Sequence, residues 1–174
     1  MNEIYIALIS SVVTGLLAAI IFKLTMSKLR PKLIISDWIS MNQNETGEDV
    51  YFIKVVNIGR RSAINLKAEL RIRTPHNVHG GTIMKTNKLS LYRSEMLELP
   101  KDSREDKNAE NAFRFRTNDN IIDMLNSNSA SYLMFQVLSY DSFSGYAKVY
   151  TKNYYNKEYI KKGRFDFGNS LEIK

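Results

Sequence analysis

Two hydrophobic patterns divide the chain. Residues Ile4 to Phe22 (IYIALISSVVTGLLAAIIF) run for 19 positions without a charged side chain. From Lys32 onward apolar and polar positions alternate with a period near two. At about 1.5 Å per residue, the first run makes a helix that crosses roughly 30 Å of hydrocarbon. A signal peptide has a basic n-region and a small-x-small cleavage site. Here Glu3 precedes the run and LLAAIIFKL ends it, which fits neither. A helix of a globular core is seldom apolar all round. The run predicts an uncleaved transmembrane anchor over 1–22, a basic juxtamembrane linker over 23–31 and a domain over 32–174.

The anchor carries a second pattern. Ala7, Ser11, Gly15 and Ala19 recur every four residues and form one stripe of small side chains. Ser10, Thr14 and Ala18 form a neighbouring stripe. Small stripes let helix backbones approach closely. The expectation is self-association through the first stripe. In a packed bundle, Ser10, Ser11 and Thr14 would line a narrow polar path.

The domain reads as β. Asn65–Arg73 places Leu66, Ala68, Leu70 and Ile72 on one face and Lys67, Glu69, Arg71 and Arg73 on the other, the signature of a half-buried strand. Val50–Asn57 is a second strand, rich in β-branched and aromatic residues. Ser131–Ser139 sends Leu133, Phe135 and Val137 one way, and Gly145–Thr151 follows across a turn at Asp141–Gly145. These two form a hairpin. Shorter strands are expected at Leu33–Ser40, Lys88–Tyr92, Met96–Leu99 and Ala112–Arg116, with a closing edge at Leu171–Lys174. Asn120–Leu125, with Asn118 and Asp119 as caps, is the one short helix predicted. Lys101–Asn111 and Met41–Asp49 read as polar loops. About eight short strands with turns between them predict a β-sandwich.

Charge sets the orientation. Lys23, Lys28, Arg30 and Lys32 follow the anchor, and only Glu3 precedes it. The positive-inside rule puts the N-terminus outside and the domain in the cytoplasm, on an inner membrane. The same four cations are either the ordinary cytoplasmic flank of such a helix or a contact for anionic lipid headgroups, each contributing about 1 kcal/mol near such a surface. Overall there are 25 Lys+Arg against 18 Asp+Glu, and the pI near 9.5 suits an anionic leaflet.

Candidate chemistry is thin. With no cysteine, disulfides, thiolate metal sites and cysteine nucleophiles are excluded. His76 and His79 form H-x-x-H in Thr74–Gly81, a turn-rich stretch without further ligands. Gly80-Gly81 lacks the rest of a phosphate loop. Tyr146, Tyr150, Tyr154, Tyr155 and Tyr159 interleave with Lys148, Lys152, Lys157, Lys161 and Lys162. That mixture suits nucleotide or nucleic-acid binding, and equally an exposed sheet face or subunit interface. No nucleophile–base pair stands out, so the expectation is a non-enzyme without cofactor or metal.

Three stretches carry a family likeness. Pro31-Lys32-Leu33 leads into a strand. Val56-Asn57-Ile58-Gly59-Arg60-Arg61 precedes Ala63-Ile64-Asn65 and the strand Leu66–Ile72. Phe135–Gly163 forms a hairpin that leads to Tyr155, Ile160 and Gly163. Together they resemble the cytoplasmic C-terminal domain of inward-rectifier potassium channels, an immunoglobulin-like sandwich, over most of residues 31–168. The family's Y-x-x-x-E-I-x-W-G has Tyr159 in place of Glu and Lys162 in place of Trp here. The family's second pore helix and T-x-G-Y-G filter have no counterpart, so this is not a potassium channel of that design. The resemblance implies a homo-oligomer, a ring of four, just under a membrane, where ligand binding moves the helices above.

The expected function is therefore non-catalytic: an oligomerising β-sandwich, with a protein or nucleotide ligand, that regulates a transmembrane helix bundle. One such role is ion transport through a membrane-permeabilising bacterial effector in antiviral defence. The alternative is a membrane-tethered adaptor whose sandwich presents an edge strand or the Tyr/Lys face to a protein.

Overall fold

The computed structural model describes residues 2–28, 31–103 and 108–174. The chain divides into two compact units, Met1–Arg30 and Pro31–Lys174. The first is the helix α1 (Asn2–Lys28), about 40 Å long. Its stretch Glu3–Met26 is long and apolar enough to cross a membrane. Side chains such as Ile4, Leu16 and Phe22 are exposed around its circumference. The helix continues past Phe22 because Lys23–Lys28 contains neither glycine nor proline, and Thr25 donates its hydroxyl to the Ile21 carbonyl at 2.8 Å.

The second unit is a two-sheet β-sandwich. Its first sheet holds β1 (Leu33–Ile35), β2 (Ile39–Gln43), β3 (Asp49–Asn57), β7 (Ala112–Thr117) and β10 (Ile160–Lys162). The second holds β4 (Ala63–Val78), β5 (Gly81–Leu89), β6 (Glu95–Leu99), β8 (Tyr132–Asp141) and β9 (Ala147–Tyr154). Along β3, Val55 and Val56 pair with both β1 and β7, and Tyr51 and Phe52 with both β2 and β7. Thus β1 and β2 share one edge of β3, and β7 takes the other. The same reasoning puts β5 and β6 on one edge of β4 and β8 on the other. The orders are β7–β3–(β1, β2)–β10 and (β5, β6)–β4–β8–β9. Chain crossings between the sheets follow the immunoglobulin pattern. Strand β10 extends the first sheet by pairing in parallel with β2.

Alternation explains the core. Leu66, Ala68, Leu70 and Ile72 of β4 and Leu133, Phe135 and Val137 of β8 face inward and are buried. They meet Tyr51, Ile53 and Val55 of β3 and Phe115 of β7. The Phe115 and Phe135 rings, one from each sheet, lie 5.4 Å apart. One end is closed by α2 (Ile121–Asn126), which buries Ile121 and Leu125 and is capped by Asn120 accepting from the Asp123 N–H.

The expectations for four segments are corrected. Leu33–Ser40 is not one strand. It breaks at Ser36–Trp38, and the register on β3 moves from Ile35 opposite Val55 to Ser40 opposite Phe52. Two extra residues are accommodated there as a bulge. Thr74–Gly81 is not a loop. The ladder of β4 and β5 runs out to Val78 opposite Gly81, leaving His79-Gly80 as the turn. Pro75 is tolerated because β4 has lost its β8 neighbour beyond Arg73 and is an edge there. The strand expected at Lys88–Tyr92 is the end of β5, which stops at Leu89. Leu171–Lys174 contributes a single bridge, Ile173 to Phe165, within a tight C-terminal hairpin over residues 164–174.

Candidate functional site

On α1 the four-residue spacing puts Ala7, Ser11, Gly15 and Ala19 on one continuous face. A Cβ added at Gly15 would meet no atom within 4 Å, so the face is open to a partner backbone. The hydroxyls point back into their own helix. Ser11 donates to the Leu8 carbonyl and Thr14 to the Ser10 carbonyl, both at 2.8 Å. Such bonds occupy the one hydroxyl donor and keep only acceptor lone pairs outward. Ser10 and Thr14 are neighbours across this bond, one turn apart on the second stripe.

The basic flank is divided between the units. Lys23 is exposed on α1, and Lys28 is its last residue. Arg30 lies outside the described residues. Lys32 is exposed at the start of the sandwich, and its carbonyl accepts from the Ile58 N–H at 2.9 Å.

The Tyr/Lys alternation of β9 is not a free sheet face. Tyr146, Lys148, Tyr150 and Lys152 share the side on which Tyr154 enters the core. The Tyr150 hydroxyl donates to the Pro31 carbonyl at 2.6 Å, and Lys152 is ion-paired with Asp37. What lies outward on β9 is Val149, Thr151 and Asn153. Period-two reasoning groups these residues and leaves the side open; the structure ties Tyr150, Lys152 and Tyr154 of the group to the segment before β2.

The stretch Val56–Arg61 is a knot that shapes the loop before β4. Asn57 is fully buried. Its amide donates to the carbonyls of Arg61 (2.8 Å), Pro100 (2.9 Å) and Leu99 (3.2 Å), and its oxygen accepts from the Gly59 N–H at 3.0 Å. Asn111 completes it, exchanging two bonds with the Asn57 backbone at 2.8 and 3.0 Å. Arg61 then reaches over the Phe143 ring, 4.6 Å from its centroid. These contacts give Asn57 a structural role.

One buried cation was invisible in the sequence pattern. Lys54 lies on the outward side of β3, yet only 3% of it is exposed. Its ammonium donates to the carbonyls of Asp166 (2.8 Å), Gly168 (2.6 Å) and Ser170 (2.7 Å) in the C-terminal hairpin. Burial pushes its pKa down, neighbouring Arg114 adds to this, and Asp166 opposes it. Alternation in VYFIKVVN marks Lys54 as outward; only the hairpin that covers it explains its burial.

Other shifted groups serve the scaffold. Asp141 ends β8 and accepts from the N–H and hydroxyl of Ser144 at 2.7 and 2.6 Å. Burial alone would raise its pKa, but these bonds hold it below the ordinary aspartate value. Glu69 is held low by the Arg71 guanidinium beside it. Among the described residues no group of three or more His, Asp or Glu is placed to hold a metal ion. His76 sits on β4 opposite Ile83 and His79 in the turn. No known family model and no curated protein matches this chain.

Proposed function

We propose that the chain is a single-pass membrane protein that self-associates through α1 and carries its sandwich as a ligand-responsive regulatory domain in the cytoplasm. The observation that carries this reading is the contrast between the two units. The sandwich gathers a buried apolar core and exposes only scattered apolar side chains, whereas the large apolar side chains of α1 from Ile4 to Leu24 are exposed all round. Such a surface needs a hydrocarbon solvent. The cations at Lys23 and Lys32 support an inside position for the domain and contact with anionic lipid. The likeness to the inward-rectifier domain supports four copies around an axis. Output to a helix bundle rests on that likeness, and membrane permeabilisation in bacterial defence rests on the architecture, a minimal anchor with an associating face joined to a regulatory-type domain. Back-bonding of Ser11 and Thr14 favours close helix packing over a hydroxyl-lined path. The test is the mass of the detergent-solubilised full chain by light scattering. Ser11→Leu with Gly15→Leu is expected to dissociate the oligomer and remove any ion leak from liposomes. An unchanged mass and leak reject assembly through this face.

A second reading, an adaptor tethered by an inert anchor, draws on one observation. The outer half of β4 and β5 projects as an exposed edge hairpin carrying Val78, Ile83 and Met84. Edge strands recruit partner strands. Replacing α1 by an unrelated monomeric anchor is expected to leave a tether working and to disable a helix-bundle regulator.

A further inference from the structure

A groove of about 930 Å³ opens on the outer face of the first sheet. Its floor is the half-buried ring of Phe52 on β3. The outward arginines of β7, Arg114 and Arg116, form one wall, and Arg164, where the C-terminal hairpin begins, is among the lining residues. Asn42 and Tyr92 complete the parts that matter. The sequence shows why these cations gather. In Ala112–Thr117 (AFRFRT) alternation turns Phe113 and Phe115 inward and Arg114 and Arg116 outward. The register then sets Arg114 directly opposite Lys54 and Arg116 opposite Phe52.

Like charges directly opposite weaken a strand pair, and little here neutralises them. Among the described residues neither Arg114 nor Arg164 is ion-paired. Among the described residues Glu45 is the one carboxylate that lines the groove. Arg116 is pre-positioned instead of neutralised. Its Nε donates to the Asn118 amide oxygen at 3.0 Å, and its guanidinium lies 5.6 Å from the centroid of the Tyr92 ring. The result is a set of guanidinium forks beside aromatic faces, with a side-chain amide within the same groove.

We propose that this groove binds a nucleoside phosphate. Arginine forks match phosphate oxygens two at a time. Phe52 and Tyr92 offer ring faces on which a base stacks, and the Asn42 amide offers hydrogen bonds to its edge. The volume falls within the range of small-molecule sites. Beyond Arg164 the cationic run is interrupted by Asp166, itself paired with Lys174 at 2.8 Å. This favours a short ligand over a polynucleotide track. The proposal is independent of how α1 assembles.

The test uses the full chain in neutral detergent and the fluorescent nucleotide MANT-ATP, read by anisotropy. Saturable binding displaced by unlabelled nucleoside triphosphate is expected. Arg114→Gln and Arg164→Gln, both at exposed positions, should each weaken it about tenfold. Lys148→Gln on β9 should leave it unchanged. Phe52→Leu should weaken nucleotide binding while leaving its salt dependence intact. Absence of saturable binding overturns the proposal. So does equal loss with Lys148→Gln, which signals diffuse charge. Displacement by tripolyphosphate as efficient as by ATP removes the role of the ring. Tighter binding of an oligothymidylate per nucleotide, or of phosphatidylglycerol vesicles through the same arginines, replaces the nucleotide with another ligand.

Discussion

The Tyr154 hydroxyl donates to the Ser36 carbonyl at 2.8 Å, and both residues are fully buried. The bond joins β9 of the second sheet to the break between β1 and β2 in the first. Four residues earlier Tyr150 makes a parallel bond to Pro31. Strand β9 therefore ties down the opening segment of the sandwich twice. Around it Tyr159 packs edge-to-face against Tyr154 and tilted against Trp38, with ring centroids 6.0 and 5.9 Å away.

Tyr154→Phe should keep the shape of the ring and leave the Ser36 carbonyl unpaired in the core. A loss of about 1–2 kcal/mol is expected, read from the midpoint of denaturant unfolding. An unchanged midpoint would show that the hydroxyl contributes nothing to the closure.

The same burial makes stability depend on alkaline pH. Burial raises the pKa of Tyr154 well above the ordinary 10.0, and that of Tyr51, with Asp49 reinforcing the shift there. Both groups stay neutral in the folded chain while their unfolded counterparts ionise near 10. Their contribution is fully present below the unfolded value and is lost as pH rises through it toward the folded one. Stability should fall from about pH 10 upward. In a tyrosinate absorbance titration, Tyr154, one of ten tyrosines, should ionise only with unfolding, and Tyr51 at higher pH than an exposed tyrosine.

Gly59 has no room for a side chain. A Cβ there would lie 2.6 Å from the Lys32 backbone nitrogen and 3.2 Å from the Pro31 Cα. Both obstacles are backbone, so relief requires moving the entry segment. Gly59→Ala is expected to cost about 1–3 kcal/mol, measured by thermal or denaturant unfolding.

Lys54 pins the C-terminal hairpin. Lys54→Met would leave three carbonyls without their shared donor. The hairpin bonds from Arg164 N–H to the Lys174 carbonyl (2.8 Å) and from Asp166 N–H to the Glu172 carbonyl (2.9 Å) should then open more often. Faster amide exchange at Arg164 and Asp166, with exchange in β4 and β8 unchanged, is the expected outcome.

Much of this architecture could be read from periodicity, and the failures have physical causes. The β4 face pattern and the β8–β9 hairpin follow from alternation alone. The same rule cannot say which side of β9 is inside, because Tyr and Lys are amphipathic and fit either. It cannot show that β4 continues past Thr74, since the ladder to β5, and not residue preference, holds Pro75 and His76 extended. The small stripe of α1 was legible because a helix fixes four-residue neighbours. The groove arginines were not, because their meeting with Arg164 depends on a hairpin fifty residues away in sequence. Alternation in AFRFRT was the available signal.

Strand β4 has sixteen residues, Ala63–Val78, a rod of about 50 Å. Its first half is clamped between neighbours in the core, and its second half projects with only β5 beside it. A pull or twist applied at His79-Gly80 reaches Leu70 through a continuous strand, and the first irregularity it meets is the bulge between Ile64 and Lys67. The hairpin is thus a lever with its fulcrum near Arg73, and whatever grips its tip works directly on the packing between the sheets.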